Sequence, residues 1–96
     1  MTPERELKEK LVQYCNYRGL EVRKLHYEGR AGCPDWLLFG NGKHIFIELK
    51  GPKGKVSEIQ KNEFLSLRSK GGFDVYVLNN IEHIQKCIDY EFCDER

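Results

Sequence analysis

Ninety-six residues, 40% hydrophobic and 32% charged with a formal net charge of +1, supply one domain, residues 1–96, whose core leaves much surface to cover. No apolar run is long enough to cross a membrane, and the polar start Met1-Thr2-Pro3-Glu4-Arg5-Glu6 is unlike a secretory signal, so a cytoplasmic protein without membrane attachment is expected. Cys15, Cys33, Cys87 and Cys93 have neither CxxC spacing nor paired histidines, which points away from a zinc site.

Thr2-Pro3 opens a helix with a capping hydroxyl and a proline at the first helical position. Leu7, Leu11, Tyr14 and Cys15 recur on one face, and Gly19 ends it. Glu21–Tyr27 reads as a first strand, and residues 28–32 as a loop with two glycines. Residues 35–39 and 43–50 are two hydrophobic runs joined by Asn41-Gly42, the signature of a β-hairpin. Residues 51–55 form a basic turn. Ser57 and Gln60 fit a capping box that opens a second helix, with Ile59, Phe64, Leu65 and Leu67 as its buried face and Gly71-Gly72 as its stop. Residues 73–78 are a short strand. Asn79-Asn80-Ile81-Glu82 starts a third helix with Ile81, Ile84 and Ile88 inward, and residues 91–96 read as a frayed acidic tail. The order is αβββαβ(α), an α/β fold with a small mixed sheet flanked by helices.

The hairpin brings Asp35, at the start of one strand, towards Glu48 at the end of the next. Glu48 and Lys50 are two apart, so their side chains share a face. Glu48 also follows the apolar run Ile45-Phe46-Ile47, where a charge is costly unless it is paired or coordinated. Singly, each residue has an ordinary explanation: a turn former, or a solvated strand end. Together, two carboxylates and an amine at one sheet edge suit a hydrolytic site for Mg²⁺ or Mn²⁺, hard cations that take oxygen ligands. Such an ion polarises a phosphoryl group and acidifies a bound water, and Lys50 would orient that water or neutralise developing charge. The reaction this supports is phosphodiester hydrolysis.

Two further residues stay open on spacing alone. Glu4 lies three before Leu7 and seven before Leu11, on their inward face, yet an acidic residue in the first helical turn needs no other reason. Gln60 either caps its helix or turns to the sheet with Phe64 and Leu67, four and seven positions on. Trp36 reads as sheet packing and Cys33 as filler. Basic residues gather around the carboxylates, with Arg18, Arg23, Lys24 and Arg30 before them and Lys50, Lys53, Lys55 and Lys61 after, as a polyanion would require.

Pro34-Asp35 followed by Glu48-Leu49-Lys50 resembles the PD-(D/E)xK nuclease signature. With Arg23-Lys24-Leu25, Glu28-Gly29-Arg30, Gly32-Cys33, Gln60 and Gly72 added, the chain is similar to the stand-alone VRR-NUC branch over roughly residues 4–85. That resemblance implies a restriction-endonuclease-like core and a Mg²⁺- or Mn²⁺-dependent DNA endonuclease. It implies metal binding by Asp35, Glu48, the Leu49 carbonyl and Glu4, catalysis by Lys50, and support from Gln60. It also implies a homodimer acting on branched DNA such as Holliday junctions, in replication, repair or recombination. Lys24, Arg30, Lys53 and Lys55 are the expected DNA contacts. The rival readings are a DNA-binding module with this fold but without turnover or dependent on a partner, a flap or general nuclease, and the same chemistry on RNA.

Overall fold

The computed structural model describes residues 2–93 and places their elements in the expected order. Helix α1 (Pro3–Tyr17) begins where its cap predicts, with the Arg5 N–H donating to Thr2 Oγ1 at 3.2 Å. Strands β1 (Glu21–Lys24), β2 (Trp36–Gly40) and β3 (Lys43–Leu49) follow, then helix α2 (Glu58–Gly71), strand β4 (Val75–Leu78) and helix α3 (Ile81–Glu91). The sheet order is β1-β2-β3-β4, antiparallel through β3 and parallel between β3 and β4. Asn41 and Gly42 hold φ values of 53° and 76°, as a type I′ turn demands, and this sets the register that pairs Trp36 with Ile47 and Leu37 with Phe46.

Alternation along the strands divides the sheet into two faces. Trp36, Leu38, Ile45, Ile47 and Leu49 are buried in one cluster with Leu7, Leu11 and Cys15 of α1 and Ile84 and Ile88 of α3. The opposite face carries Leu37, Phe46, Glu48 and Val77, paired across the strands, and α2 covers it only in part, touching β4. Phe46, Phe73 and His44 remain as an edge-to-face aromatic group there.

Three expectations need correction. The first strand stops at Lys24 rather than Tyr27, although Leu25 N–H still donates to the Asp35 carbonyl at 2.8 Å. Beyond it Tyr27 and Arg30 bond to Glu63 of α2 and draw the chain off the sheet. In α2, Phe64 is buried but Ile59 and Leu65 are 58% and 62% exposed. The inward stripe runs through Gln60, Phe64 and Leu67, and Ile59 and Leu65 fall off it by more than a quarter turn.

The third correction concerns the end of the chain. Glu91 and Phe92 are 5% exposed and belong to the fold, while residues 94–96 of the predicted tail lie outside the described residues. The stripe Ile84, Ile88, Glu91 simply continues through the helix. Tyr76 donates to Glu91 Oε1 at 2.8 Å, Lys43 approaches its other oxygen at 3.1 Å, and Arg18 donates to the Phe92 carbonyl at 3.1 Å. Phe92→Ala is therefore expected to cost about 3 kcal/mol, the usual penalty for emptying a buried phenylalanine site. Urea unfolding measures it, and a change under about 0.5 kcal/mol, the range of neutral surface substitutions, would return the segment to a frayed tail.

Candidate active site

The hairpin and α2 converge on Glu48. Its carboxylate is 2% exposed and accepts three donors. Asp35 N–H reaches Oε1 at 3.1 Å, and Gln60 Nε2 and Lys50 Nζ reach Oε2 at 3.0 and 3.1 Å. Burial raises the Glu48 pKa above its ordinary value. Lys50 opposes that shift, the Asp35 charge adds to it, and Gln60 again opposes it. A buried carboxylate in this state is held by cations and donors rather than by water, and it is a strong acceptor for a further cation.

Asp35 sits one residue before β2, between buried Pro34 and buried Trp36. Its Oδ1 accepts from Lys24 Nζ at 3.0 Å. A cleft of about 490 Å³ opens beside it, with Glu4, Arg5, Lys8, Lys24, Trp36 and Leu49 among its walls. The structure thus brings Asp35, Glu48, Lys50 and Gln60 together by direct or shared hydrogen bonds, and puts Leu49 and Glu4 on the same cleft as Asp35. Gln60 performs both roles open in the sequence. Its Oε1 accepts from the Ser57 N–H at 3.1 Å to close the capping box, while its amide nitrogen serves Glu48.

No three His, Cys, Asp or Glu side chains form a ready metal-ligand group among the described residues, so Glu4 lines the cleft without joining the two carboxylates. The donors near the cleft suit Mg²⁺ or Mn²⁺ nonetheless. Mg²⁺ is commonly held by one or two carboxylates with waters and substrate phosphate completing the shell. Asp35 Oδ2 makes no hydrogen bond among the described residues, and Glu48 Oε1, with one donor, keeps lone-pair capacity, while Oε2 is taken up by Gln60 and Lys50.

The predicted DNA contacts fare differently. Lys24 is engaged by Asp35, and Arg30 by Glu63 at 3.1 Å, while Lys53 and Lys55 are exposed on the turn. Burial first, then the Asp35 charge, push the Cys33 thiol pKa up, and its Sγ donates to the Pro34 carbonyl at 3.2 Å. Glu63 was not legible as a site residue, although it stands three after Gln60 on the same helix. It is 11% exposed on its side chain and accepts from Tyr27 at 2.6 Å as well as from Arg30. A Cβ at Gly32, where φ is +97°, would come within 3.0 Å of Glu63 Cβ, so the loop carrying Asp35 lies directly on α2.

The family model described as the VRR-NUC domain matches residues 2–80. The chain belongs to the VRR-NUC family. A solved VRR-NUC domain superposes with a TM-score of 0.86 at 31% identity, covering 96% of this chain and 100% of that one. The fold, at 18% identity, is also similar to that of Archaeoglobus fulgidus Hjc, described as a Holliday junction resolvase, with a TM-score of 0.55 over 75% of this chain and 64% of that one. No curated protein matches the chain. Like these nuclease folds, this VRR-NUC chain is a small α/β unit with a mixed sheet flanked by helices.

Proposed function

We propose that this VRR-NUC protein is a divalent-metal-dependent endonuclease that hydrolyses DNA phosphodiesters, prefers branched DNA such as a four-way junction, and acts as a homodimer. The observation that carries this reading is the buried Glu48 carboxylate, shared by Lys50, Gln60 and the backbone N–H of Asp35, the residue whose side chain lines a cleft walled by Arg5, Lys8 and Lys24. Asp35, Glu48 and the Leu49 carbonyl would hold Mg²⁺ or Mn²⁺, with Glu4, on the wall of the same cleft as Asp35, as the further acidic residue for the ion. Bound there, the ion supplies charge neutralisation at the phosphate and acidifies water. Lys50, fixed at 3.1 Å by Glu48, presents its ammonium to the attacking water or to charge developing on a phosphate oxygen. Gln60 holds the carboxylate it touches and thereby orients Lys50.

Preference for a branched substrate is carried by the likeness to Hjc and by nothing in the side chains. Pairing of two copies is supported by the family resemblance and by the half-covered sheet face, where Phe46 and Phe73 remain accessible. The deciding experiment is cleavage of labelled duplex, single strand, flap and four-way junction, with DNA and RNA versions, in Mg²⁺, Mn²⁺ or EDTA. Metal-dependent cutting of the DNA junction above the other substrates is expected. Equal cutting of flap and junction would replace the resolvase reading with a flap or general nuclease. Metal-dependent binding without cutting would leave a binding module. Light scattering should give about twice 11.3 kDa, and the monomer mass would remove the dimer.

A further inference from the structure

Resting on the nucleic-acid reading above, we propose that the cleft beside Asp35 is a binding site for the phosphodiester backbone of one strand, with Lys8 and Arg5 as phosphate contacts that lead to Lys24. Neither Lys8 nor Arg5 is expected from the hairpin motif, because both lie on α1. Lys8 Nζ stands 5.7 Å from the centre of the Trp36 ring and Lys24 Nζ 5.2 Å from the same ring. Trp36 is 7% exposed, so its indole is a floor and not a stacking platform for a base. It lies within cation–π reach of two ammonium groups, of which Lys24 is also paired with Asp35 at 3.0 Å. An anion entering the cleft would give Lys8 the counter-charge that Lys24 already has in Asp35.

The cations have capacity to spare. Lys8 has no carboxylate within ion-pair distance among the described residues. Arg5 meets only Glu9, at 3.6 Å and with 71% of its own side chain exposed, an interaction of little net worth. On the other side of Glu4 a second hollow of about 450 Å³ shares Thr2 and Glu4 with the cleft and is walled by Lys53. Two hollows that share Thr2 and Glu4 therefore carry four basic side chains, Arg5, Lys8 and Lys24 beside Asp35 in one and Lys53 in the other. A single carboxylate ligand would need one such group. Several basic groups over two adjoining hollows match the repeated charge of a strand.

The test is fluorescence anisotropy with labelled single-stranded and four-way DNA in the Lys50→Ala background with Mg²⁺ present, so that binding is read without cutting. Lys8→Ala should raise Kd by about three- to tenfold on every sequence and lower the slope of log K against log salt by about 1. Arg5→Ala together with Lys8→Ala should lower that slope by about 2, and Lys8→Arg should restore it. Lys86→Ala removes a charge on α3 outside the cleft, where Lys86 pairs with Glu82, and should leave the slope at its starting value. A Lys8→Ala slope equal to that of Lys86→Ala overturns the proposal, as does a parent protein that binds no DNA. Lys8-dependent binding by a wild-type chain that cuts nothing would sustain the strand site and remove the nuclease reading. Cutting with no dependence on Lys8 would do the reverse.

Discussion

Lys50→Ala and Asp35→Asn should both lose DNA cleavage, by about 10²–10³-fold for Lys50, the usual cost of removing one charge-stabilising donor, and to background for Asp35. Their stabilities should move apart. Removing Lys50 leaves the 2% exposed Glu48 with two donors in place of three. Stripping one partner from a fully buried ion pair costs about 3–5 kcal/mol, and the donors that remain reduce this to about 1–3 kcal/mol. Asp35→Asn keeps the shape and the backbone donor to Glu48, and it deletes a negative charge that disfavours ionised Glu48. The bridge it sacrifices, Lys24–Asp35 at 3.0 Å, is partly exposed and worth under about 1 kcal/mol. Melting temperature in EDTA should therefore fall for Lys50→Ala and hold or rise for Asp35→Asn. Loss of activity with opposite thermal shifts cannot be unfolding. Wild-type cutting rates in either variant would sink the catalytic assignment.

Removal of the metal should abolish cutting, and its return should stabilise the fold. Glu48 and Asp35 are held close in the native state only, so an ion that they bind favours the native state by RT ln(1 + [L]/Kd), about 1.4 kcal/mol at ten times Kd. For a chain of this size that is roughly 5–10 °C in Tm. Differential scanning fluorimetry of the wild type with EDTA, Mg²⁺ or Mn²⁺ reads this without any substrate. Asp35→Asn and Glu48→Gln should each lose most of the shift, and Glu4→Gln should lose less, because Glu4 stands on the cleft apart from the two carboxylates. Equal loss with Glu4→Gln would make it a direct ligand. Cutting that persists in EDTA, with no thermal shift in either metal, would overturn metal dependence.

The parts of the site that were legible in the chain are those decided by local geometry. Asn41-Gly42 dictates a tight turn, the turn dictates the register, and the register carries Asp35 to Glu48 while i,i+2 spacing aligns Lys50. Spacing left Gln60 open between its cap and the sheet, and the structure gives it both, with its amide nitrogen on Glu48. Lys8 stands one helical turn after Glu4 and so shares its side of the helix, but only packing brings it to Trp36 and the cleft. Lys24 and Arg30 are expected DNA contacts, and the partners they have in the structure, Asp35 and Glu63, lie 11 and 33 positions away, beyond the reach of local spacing.

By itself the sequence determined the order of elements, the caps, the hairpin register and the pairing of two carboxylates with a lysine, because each depends on residues a few bonds or one turn apart. Tertiary structure alone decided how much of α2 is covered, why Glu91 and Phe92 lie inside, and which cations are already engaged. Periodicity says which residues share a face, and only packing says what lies against it. A helix that sits on one side of a sheet leaves Ile59 and Leu65 in water however apolar they are, and an acidic residue such as Glu91 enters the core when Tyr76 and Lys43 arrive from other elements to meet it.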